Sequence, residues 1–244
     1  MTGGDPRDEA RARLRALVDS LALEPSEPAP CPYLLGRESR LVLLRPRQFT
    51  PGLYHLFLDL NFRRLGEGVY RPQCGACREC RQLRVRVAAF RPTRAQRRCR
   101  RRNADVDAKI ALPEPTPEKH EVYRRYLEAR HDGMMTGSWD EFQGFLHDTP
   151  SFTREVVYRV GGRLLGAGIV DIAPEAMSAV YFYFDPDLAH RSPGTFNVLW
   201  LVEECRRRRI PWLYLGYYVA GSPTMAYKAA FRPHQILGDG GEWR

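Results

Sequence analysis

Three cysteines stand close together in the segment RPQCGACREC, where Cys74, Cys77 and Cys80 follow C-x2-C-x2-C spacing. A tight loop with this spacing can direct several thiolates at one ion, and Cys31 could supply a fourth ligand from the start of a neighbouring strand. Four sulfur ligands favour a structural zinc ion or an iron–sulfur cluster, and they leave no open position on the metal for catalysis. Free thiols in a loop are the alternative interpretation.

A run of arginines follows directly, with seven arginines in residues 91–102. Thr93 and Gln96 form a T-x-x-Q capping box, which predicts that a helix begins inside the run. The arginines that share one face of this helix, at i, i+3, i+4 and i+7, are Arg94, Arg97, Arg98 and Arg101. Ala95 and Cys99 are expected to face the protein body. Because like charges repel on an isolated helix, the stripe favours a polyanionic partner over a merely solvated surface.

The segment YLGYYVAGSPTMAYKAAFRP, residues 214–233, is dense in polar aromatic side chains. It contains Tyr214, Tyr217, Tyr218, Tyr227 and Lys228, which cannot all be core residues. Aromatic planes beside basic groups suit the stacking of a nucleoside and contact with its phosphates. A tyrosine-rich strand end is the structural alternative.

A second possible nucleotide-binding segment is HRSPGT, where Arg191-x-x-Gly194 lies between a predicted strand and a predicted helix. Backbone amides at such a helix N-terminus can hold a pyrophosphate. An ordinary glycine-containing start of a helix explains the same residues.

Composition limits the class of protein. The chain has 244 residues, 43% of them hydrophobic, and its 38 Lys and Arg against 29 Asp and Glu give a net charge of +9, which favours a polyanionic partner. No apolar stretch approaches the ~20 residues that span a bilayer. The first 30 residues lack the apolar core of a signal peptide, so we expect a cytoplasmic protein whose six cysteines are reduced or bind metal.

The predicted elements fall into two halves, divided at residues 112 and 113 within the Pro-rich segment ALPEPTP. Residues 1–112 are expected to form an α/β half with the cysteine loop and the basic helix, and RLVLLR and LRVRVAAF predict strands. Residues 113–244 predict the order helix, helix, hairpin, strand, loop, helix, strand, helix, with the hairpin turning at Gly161 and Gly162. This is the order of the GNAT acyltransferase fold, so we expect an α+β chain with a GNAT-like C-terminal half.

Several longer segments resemble one family in order along the chain: CPYL, NFRR, VYRPQCGACREC, RVRVAAFRPTRAQRRCRRRN, YRRYLEARH, VDIAPEAMSAVYFYFDPD, GTF and YLGYYVAGSPTMAYKAAFRP. The chain resembles the arginyl/leucyl-tRNA–protein transferases, in particular the bacterial aspartate/glutamate leucyltransferases, from Cys31 to about Pro233. It departs from that pattern at Gln82 and Pro193, and at Thr224 and Ala226, where relatives often carry basic residues.

The resemblance implies transfer of leucine from leucyl-tRNA to proteins with N-terminal Asp or Glu, which creates an N-degron. The basic helix would bind tRNA, the cysteines would stabilise the N-terminal half, and the GNAT-like half would bind the 3′ aminoacyl-adenosine. No cofactor is required for the chemistry, since the ester is already activated and alignment supplies much of the barrier reduction. A monomer without membrane contact is expected.

The resemblance also implies roles for single residues. Asp171 corresponds to the family's Asp and would orient the acceptor amine or take its proton. The residues expected to position the donor are Tyr181, Tyr217, Tyr227 and Lys228. The candidates for binding the acceptor's carboxylate are Arg63, Arg64 and Arg191, which the sequence does not rank.

Three other functions remain open from the sequence. An arginyl donor could replace the leucyl donor within the same family. An acyl-CoA-dependent N-acetyltransferase would use the Arg191-x-x-Gly194 loop but leaves the arginine run unexplained. A non-catalytic RNA-binding module would explain the basic helix but not the tyrosine-rich second half.

Overall fold

The first part of the chain combines three helices with short strands in the computed structural model, which describes residues 6–130 and 136–244. The elements are α1 (Pro6–Ser20), β1 (Ala29–Pro30), β2 (Glu38–Ser39), β3 (Leu41–Leu44), α2 (Pro51–Asp59), β4 (Arg63–Leu65), β5 (Gly68–Pro72), β6 (Arg81–Arg86), α3 (Arg94–Arg102) and β7 (Val106–Ala111). The predicted capping box of α3 is confirmed: Thr93 Oγ1 accepts from the Gln96 amide at 3.2 Å, and Gln96 Oε1 accepts from the Thr93 amide at 2.9 Å.

The second part of the chain follows the predicted order of elements. These are α4 (Pro117–Arg130), α5 (Trp139–Leu146), β8 (Thr153–Val160), β9 (Arg163–Ile172), β10 (Ala176–Phe184), α6 (Pro193–Arg208), β11 (Trp212–Tyr218), α7 (Pro223–Ala226) and β12 (His234–Ile236). Gly161 and Gly162 connect β8 to β9 with φ values of +56° and +82°, which only glycine adopts readily. The predicted hairpin and the α+β class are therefore confirmed.

One seven-stranded sheet runs through the described residues in the order β12-β6-β11-β10-β9-β8-β7. Strands β6 and β7 precede the predicted boundary at residues 112 and 113, yet they pair with strands that follow it. The two halves of the sequence therefore share this sheet. Helices α3 and α6 cover one of its faces, α4 and α5 cover the other, and a small sheet in the order β3-β5-β4 lies with α1 and α2 in a third cluster of buried side chains.

The middle of the large sheet is interrupted between β10 and β11. These parallel strands pair only from Ala176 opposite Trp212 to Ser178 opposite Tyr214. Beyond these residues β10 pairs with β9 alone and β11 with β6 alone, and each strand has a bulge, after Ala179 and after Tyr214 respectively. The two strands therefore diverge, and a gap opens toward their C-terminal ends.

Within residues 6–130 and 136–244, no helix combines the length and the apolar character needed to cross a bilayer.

A buried polar network joins α1 to the large sheet. Asp59 accepts hydrogen bonds from Arg7 at 2.7 Å and from the Tyr214 hydroxyl at 2.6 Å. His55 Nε2 lies 3.2 Å from the same hydroxyl and also contacts Arg7. Burial, with a further contribution from the Arg7 charge, lowers the pKa of His55 to about 4.

This lowered pKa predicts acid sensitivity. Because unfolded histidine titrates near pH 6.5, the unfolded chain binds more protons than the folded chain between pH ~6.5 and ~4, so stability falls as the pH falls through this window. We expect His55→Gln to reduce the slope of unfolding free energy against pH by up to about 1.4 kcal/mol per pH unit, measured by urea denaturation. An unchanged slope would show that His55 is not the titrating group.

Candidate functional site

The guanidinium of Arg63 lies in the gap between β10 and β11. Its Nη2 donates to the main-chain carbonyls of Ala179 and Val180 at 3.0 and 2.9 Å. Gly216, at φ +76°, provides the space, since a Cβ atom built there would lie 1.7 Å from Arg63 Nη1. That nitrogen is buried and has no hydrogen-bond partner among the described residues. The gap thus contains a cation with one donor group unused.

Three of the predicted tyrosines lie on elements that border the gap. Arg63 lies over the ring of Tyr217, 5.8 Å from its centroid, and the Tyr217 hydroxyl donates to the carbonyl of Asn61 at 2.9 Å. Tyr181 follows the two carbonyls that bind Arg63, and its buried hydroxyl has no partner in the described chain. Tyr227, 48% exposed, follows α7 and is the most accessible of the three.

Lys228 is buried next to the same gap. Its Nζ donates to the carbonyl of Tyr217 at 2.5 Å and lies 3.4 Å from Met225 Sδ. Burial, followed by the charge of Arg63, lowers the pKa of Lys228 to about 7. Within the described residues its hydrogen-bond partners are thus a carbonyl and a thioether, neither of which carries charge.

Asp171 and Arg64 form a fully buried ion pair beneath β10. Arg64 Nε donates to both carboxylate oxygens of Asp171, at 2.8 and 3.0 Å, and Thr153 Oγ1 donates to one of them at 2.6 Å. Both side chains are inaccessible to solvent. In this arrangement Asp171 does not face the open part of the gap, and its contacts connect β8, β9 and β4.

Arg191 and Gly194 lie at the start of α6, as predicted, but the arginine already has a partner. Its guanidinium donates to both carboxylate oxygens of Asp105, at 2.8 and 3.0 Å. Ser192 adopts a positive φ of +58° at the helix cap, and the space where a Cβ of Gly194 would lie is open. The helix start is therefore accessible, whereas the Arg191 side chain points to Asp105.

The basic face predicted on α3 is exposed. Arg94, Arg98 and Arg101 have no hydrogen bond or ion pair to the described residues, and Arg97 donates only to the Pro92 carbonyl, at 2.6 Å. By contrast, Arg100 pairs with Glu203 on α6. The buried face consists of Gln96, Cys99 and Asn103; the expectation that Ala95 faces the protein is wrong, because it is exposed.

The ends of α3 connect this basic face to two other features. At the C-terminal end, Asn103 Nδ2 donates to the carbonyl of Arg191 at 2.9 Å, so the helix ends beside the start of α6. Before its N-terminal end lies a surface groove of about 540 Å³, bordered by Arg91, Arg232 and His234. Basic side chains therefore extend from this groove along α3 to the start of α6.

The four predicted metal ligands are near one another. Burial raises the pKa of Cys80 to about 12, and the three other cysteines add to the shift. The Arg40 amide donates to Cys74 Sγ at 3.4 Å, and Arg37 Nη1 to Cys77 Sγ at 3.6 Å. In the described ranges, however, no three His, Cys, Asp or Glu side chains are arranged to hold a metal ion. The metal remains a prediction, and no step below depends on it.

Sequence reasoning did not identify Gly216 as a site residue. A glycine inside the apolar, aromatic strand YLGYY typically marks a bulge or a close approach of another group, and here it marks both. The carbonyls of Ala179 and Val180 could not be found from residue types, because every residue carries a carbonyl.

Comparison with known proteins identifies the family. Residues 29–98 match the family model described as arginine-tRNA-protein transferase, N terminus, and residues 118–238 match its C-terminus counterpart. The aspartate/glutamate leucyltransferase of Halorhodospira halophila is 42% identical over 221 residues, which cover 88% of this chain and 92% of that protein. The leucyltransferase of Marinobacter nauticus is 40% identical over 220 residues, covering 89% and 92%.

Two solved structures are more distant. The C-terminal domain of a lysylphosphatidylglycerol synthetase candidate from Agrobacterium fabrum aligns at a TM-score of 0.49 with 14% identity, covering 81% of this chain and 64% of that chain. A GCN5-related N-acetyltransferase from Anabaena variabilis aligns at 0.40 with 10% identity, covering 97% and 49%. The assignment rests instead on the family models and the leucyltransferases: the chain belongs to the arginyl/leucyl-tRNA–protein transferase family.

Proposed function

We propose that this chain transfers leucine from leucyl-tRNA to the amino terminus of proteins that begin with Asp or Glu. The observation that carries this proposal is the identity of about 40% with aspartate/glutamate leucyltransferases over nearly the whole chain. The product would begin with leucine and serve as an N-degron, and the use of charged tRNA as the donor supports a cytoplasmic reaction.

The proposed chemistry needs alignment more than activation. The acceptor's neutral α-amine attacks the ester carbonyl of leucyl-tRNA, an amide bond forms, and the ester C–O bond breaks. The amine loses a proton and the released ribose hydroxyl gains one, so the reaction balances without a further reactant. Holding amine and ester in contact can supply ~7–11 kcal/mol of the barrier reduction, which requires a shaped site rather than a reactive side chain.

We assign the 3′ aminoacyl-adenosine to the open end of the gap between β10 and β11. Tyr227 is half exposed there and can stack on the adenine, while the buried Tyr217 lies deeper, against Arg63. The ring of Tyr181, on β10, packs against Tyr126 and Phe145 and would act by shaping that strand. An acyl-CoA donor is less well supported, because Arg63 occupies the inner gap and Arg191 pairs with Asp105 instead of facing the start of α6.

The tRNA body is assigned to the basic face of α3. This helix ends beside the start of α6, which follows the C-terminal end of β10, where the gap opens. A tRNA whose phosphates contact Arg94, Arg98 and Arg101 could therefore reach the gap with its 3′ end. Exposed arginines without acidic partners suit this role, because each phosphate contact releases counterions.

Asp171 is proposed as a positioning residue. Because its carboxylate is buried against Arg64 and Thr153, it holds β4 and the adjacent Arg63 in register with the large sheet. Direct contact with the acceptor amine would require this ion pair to open, which makes the earlier alternatives of orienting the amine or accepting its proton less favourable.

A transfer assay tests the function. Peptides that begin with Asp, Glu, Lys or Ala are incubated with total aminoacylated tRNA, or in parallel with acetyl-CoA, and the products are weighed by mass spectrometry. We expect a gain of one leucine residue on the Asp and Glu peptides alone. A gain of arginine would keep the family and change the donor, whereas acetylation, or no transfer despite tRNA binding, would overturn the proposal.

A further inference from the structure

We infer that Arg63 and Lys228 together bind the side-chain carboxylate of the acceptor's first residue, and that this pair selects Asp and Glu. The inference rests on the proposed function and names the residues that give it specificity. The gap between β10 and β11 would then bind the acceptor's side-chain carboxylate as well as the aminoacyl-adenosine of the donor.

The first argument is unbalanced charge. Arg63 binds two main-chain carbonyls, and Lys228 binds one carbonyl and contacts a thioether. In the described part of the chain, neither forms an ion pair with an Asp or Glu. The two side chains approach neighbouring positions of β11: Arg63 lies beside Gly216, and Lys228 donates to the carbonyl of Tyr217. The charged forms of a guanidinium with a buried Nη1 and of a buried lysine are unfavourable without a counter-charge, so this site favours the entry of an anion.

The second argument is the unused hydrogen-bonding capacity. Arg63 Nη1 is buried and has no partner in residues 6–130 and 136–244, although Nη2 of the same guanidinium makes two hydrogen bonds. Protonated Lys228 has three N–H donors: the Tyr217 carbonyl accepts one and Met225 Sδ accepts a second at 3.4 Å, which leaves one. An arriving carboxylate has two oxygens, one for each cation, and charge-assisted hydrogen bonds of this kind are the stronger class.

The third argument excludes the other two candidates. Arg64 is committed to the buried carboxylate of Asp171, and Arg191 to that of Asp105. Arg64 also has one buried nitrogen, Nη2, without a partner among the described residues, but its charge is already neutralised by Asp171 and its side chain is inaccessible to solvent. Arg191 would have to give up its two hydrogen bonds to Asp105 before it could bind a carboxylate from a substrate. Arg63 has no carboxylate partner among the described residues. The structure therefore favours Arg63 over Arg64 and Arg191, which the sequence does not rank.

The shape of the site favours a carboxylate over a tRNA phosphate. Arg63 lies between two strands, with Gly216 against Nη1 and the Ala179 and Val180 carbonyls against Nη2. A carboxylate at the end of a short side chain can enter such a narrow gap end-on. A phosphodiester continues as a chain on both sides and fits an open surface, such as the face of α3.

The test compares Arg63→Gln and Lys228→Met with wild type, using leucyl-tRNA and peptides that begin with Asp, Glu, Asn or Gln. We expect each variant to lose roughly 100-fold in kcat/KM for the Asp and Glu peptides and little for the Asn and Gln peptides. The KM for leucyl-tRNA should not change. Arg154→Met is the matched control, since Arg154 is also half-buried and donates to two main-chain carbonyls, those of Ser151 and Thr153.

Equal losses on Asp and Asn peptides, or a raised KM for leucyl-tRNA, would overturn the inference and assign the cations to the donor. Thermal unfolding of both variants separates misfolding from lost recognition; if Arg63→Gln unfolds, Lys228→Met decides alone. If wild type transfers no amino acid, the proposed function fails and calorimetry tests the inference separately. In that case tighter binding of an Asp than an Asn peptide, lost in Lys228→Met, would still support it, and equal binding would overturn it.

Discussion

Replacing Asp171 with asparagine is expected to lower the free energy of unfolding by about 3–5 kcal/mol, because Arg64 would remain buried without a counter-charge. The carboxylate accepts two hydrogen bonds from Arg64 Nε, at 2.8 and 3.0 Å, and one from Thr153 at 2.6 Å. Neither side chain of the ion pair is accessible to solvent, so water cannot replace the lost partner. Chemical denaturation of wild type and variant measures the difference.

The same substitution is expected to slow leucyl transfer roughly 100-fold while tRNA binding stays normal, since a small shift of β4 displaces Arg63 from the gap.

Thr153→Val removes one hydrogen bond to the same carboxylate and should lower the free energy of unfolding by only about 1.5–3 kcal/mol. The pair Asp171→Leu with Arg64→Met removes both charges and should recover much of the stability without the rate. A loss no larger than that of a surface substitution, about 0.5 kcal/mol, would contradict this account of the pair.

Local signals in the sequence predicted much of the fold. The capping box of α3 depends on two side chains three residues apart, and the β8–β9 hairpin on two adjacent glycines, so neither needs knowledge of the rest of the chain. Strand β7 is not among the elements predicted from the sequence, although its exposure alternates along Val106–Ala111. The pairing of β6 with β11 is non-local and no pattern in either strand specifies it.

The candidate site was predicted by residue type but not by role. Arg63 and Arg64 are adjacent in the sequence and equivalent as cations, and they differ only because Asp171, more than a hundred residues away, pairs with one of them. The apolar surroundings of Asp171 in IVDIA indicate burial, but the sequence does not show which cation accompanies it. Likewise, Ala95 is exposed and Gln96 is buried because of the way α3 packs on α6 and on Ala230, and residue type alone does not predict this.

Removing the charge of Arg94, Arg98 and Arg101 together is expected to weaken tRNA binding and to flatten its salt dependence. If each arginine contacts one phosphate, the slope of log K against log salt should fall by ~0.7–0.9 per lost contact, or roughly 2–3 in the triple glutamine variant. The three side chains are exposed and have no partner among the described residues, so their loss should not disturb the fold. Glutamine keeps a helix propensity close to that of arginine, and circular dichroism checks that α3 persists.

Arg100→Gln is the matched control on the same helix, because Arg100 pairs with Glu203 and is therefore partly neutralised. Its slope should change by less than that of any single substitution on the basic face.

Titrations of fluorescent tRNA at several salt concentrations give the slopes directly, and saturating enzyme then shows whether transfer still occurs once tRNA is bound. If the triple variant keeps the wild-type slope, the tRNA lies on another surface, and the groove beside Arg91 and Arg232 is the next to test by the same titration. If the slope falls while transfer at saturation is retained, binding by α3 and chemistry in the gap are separate contributions.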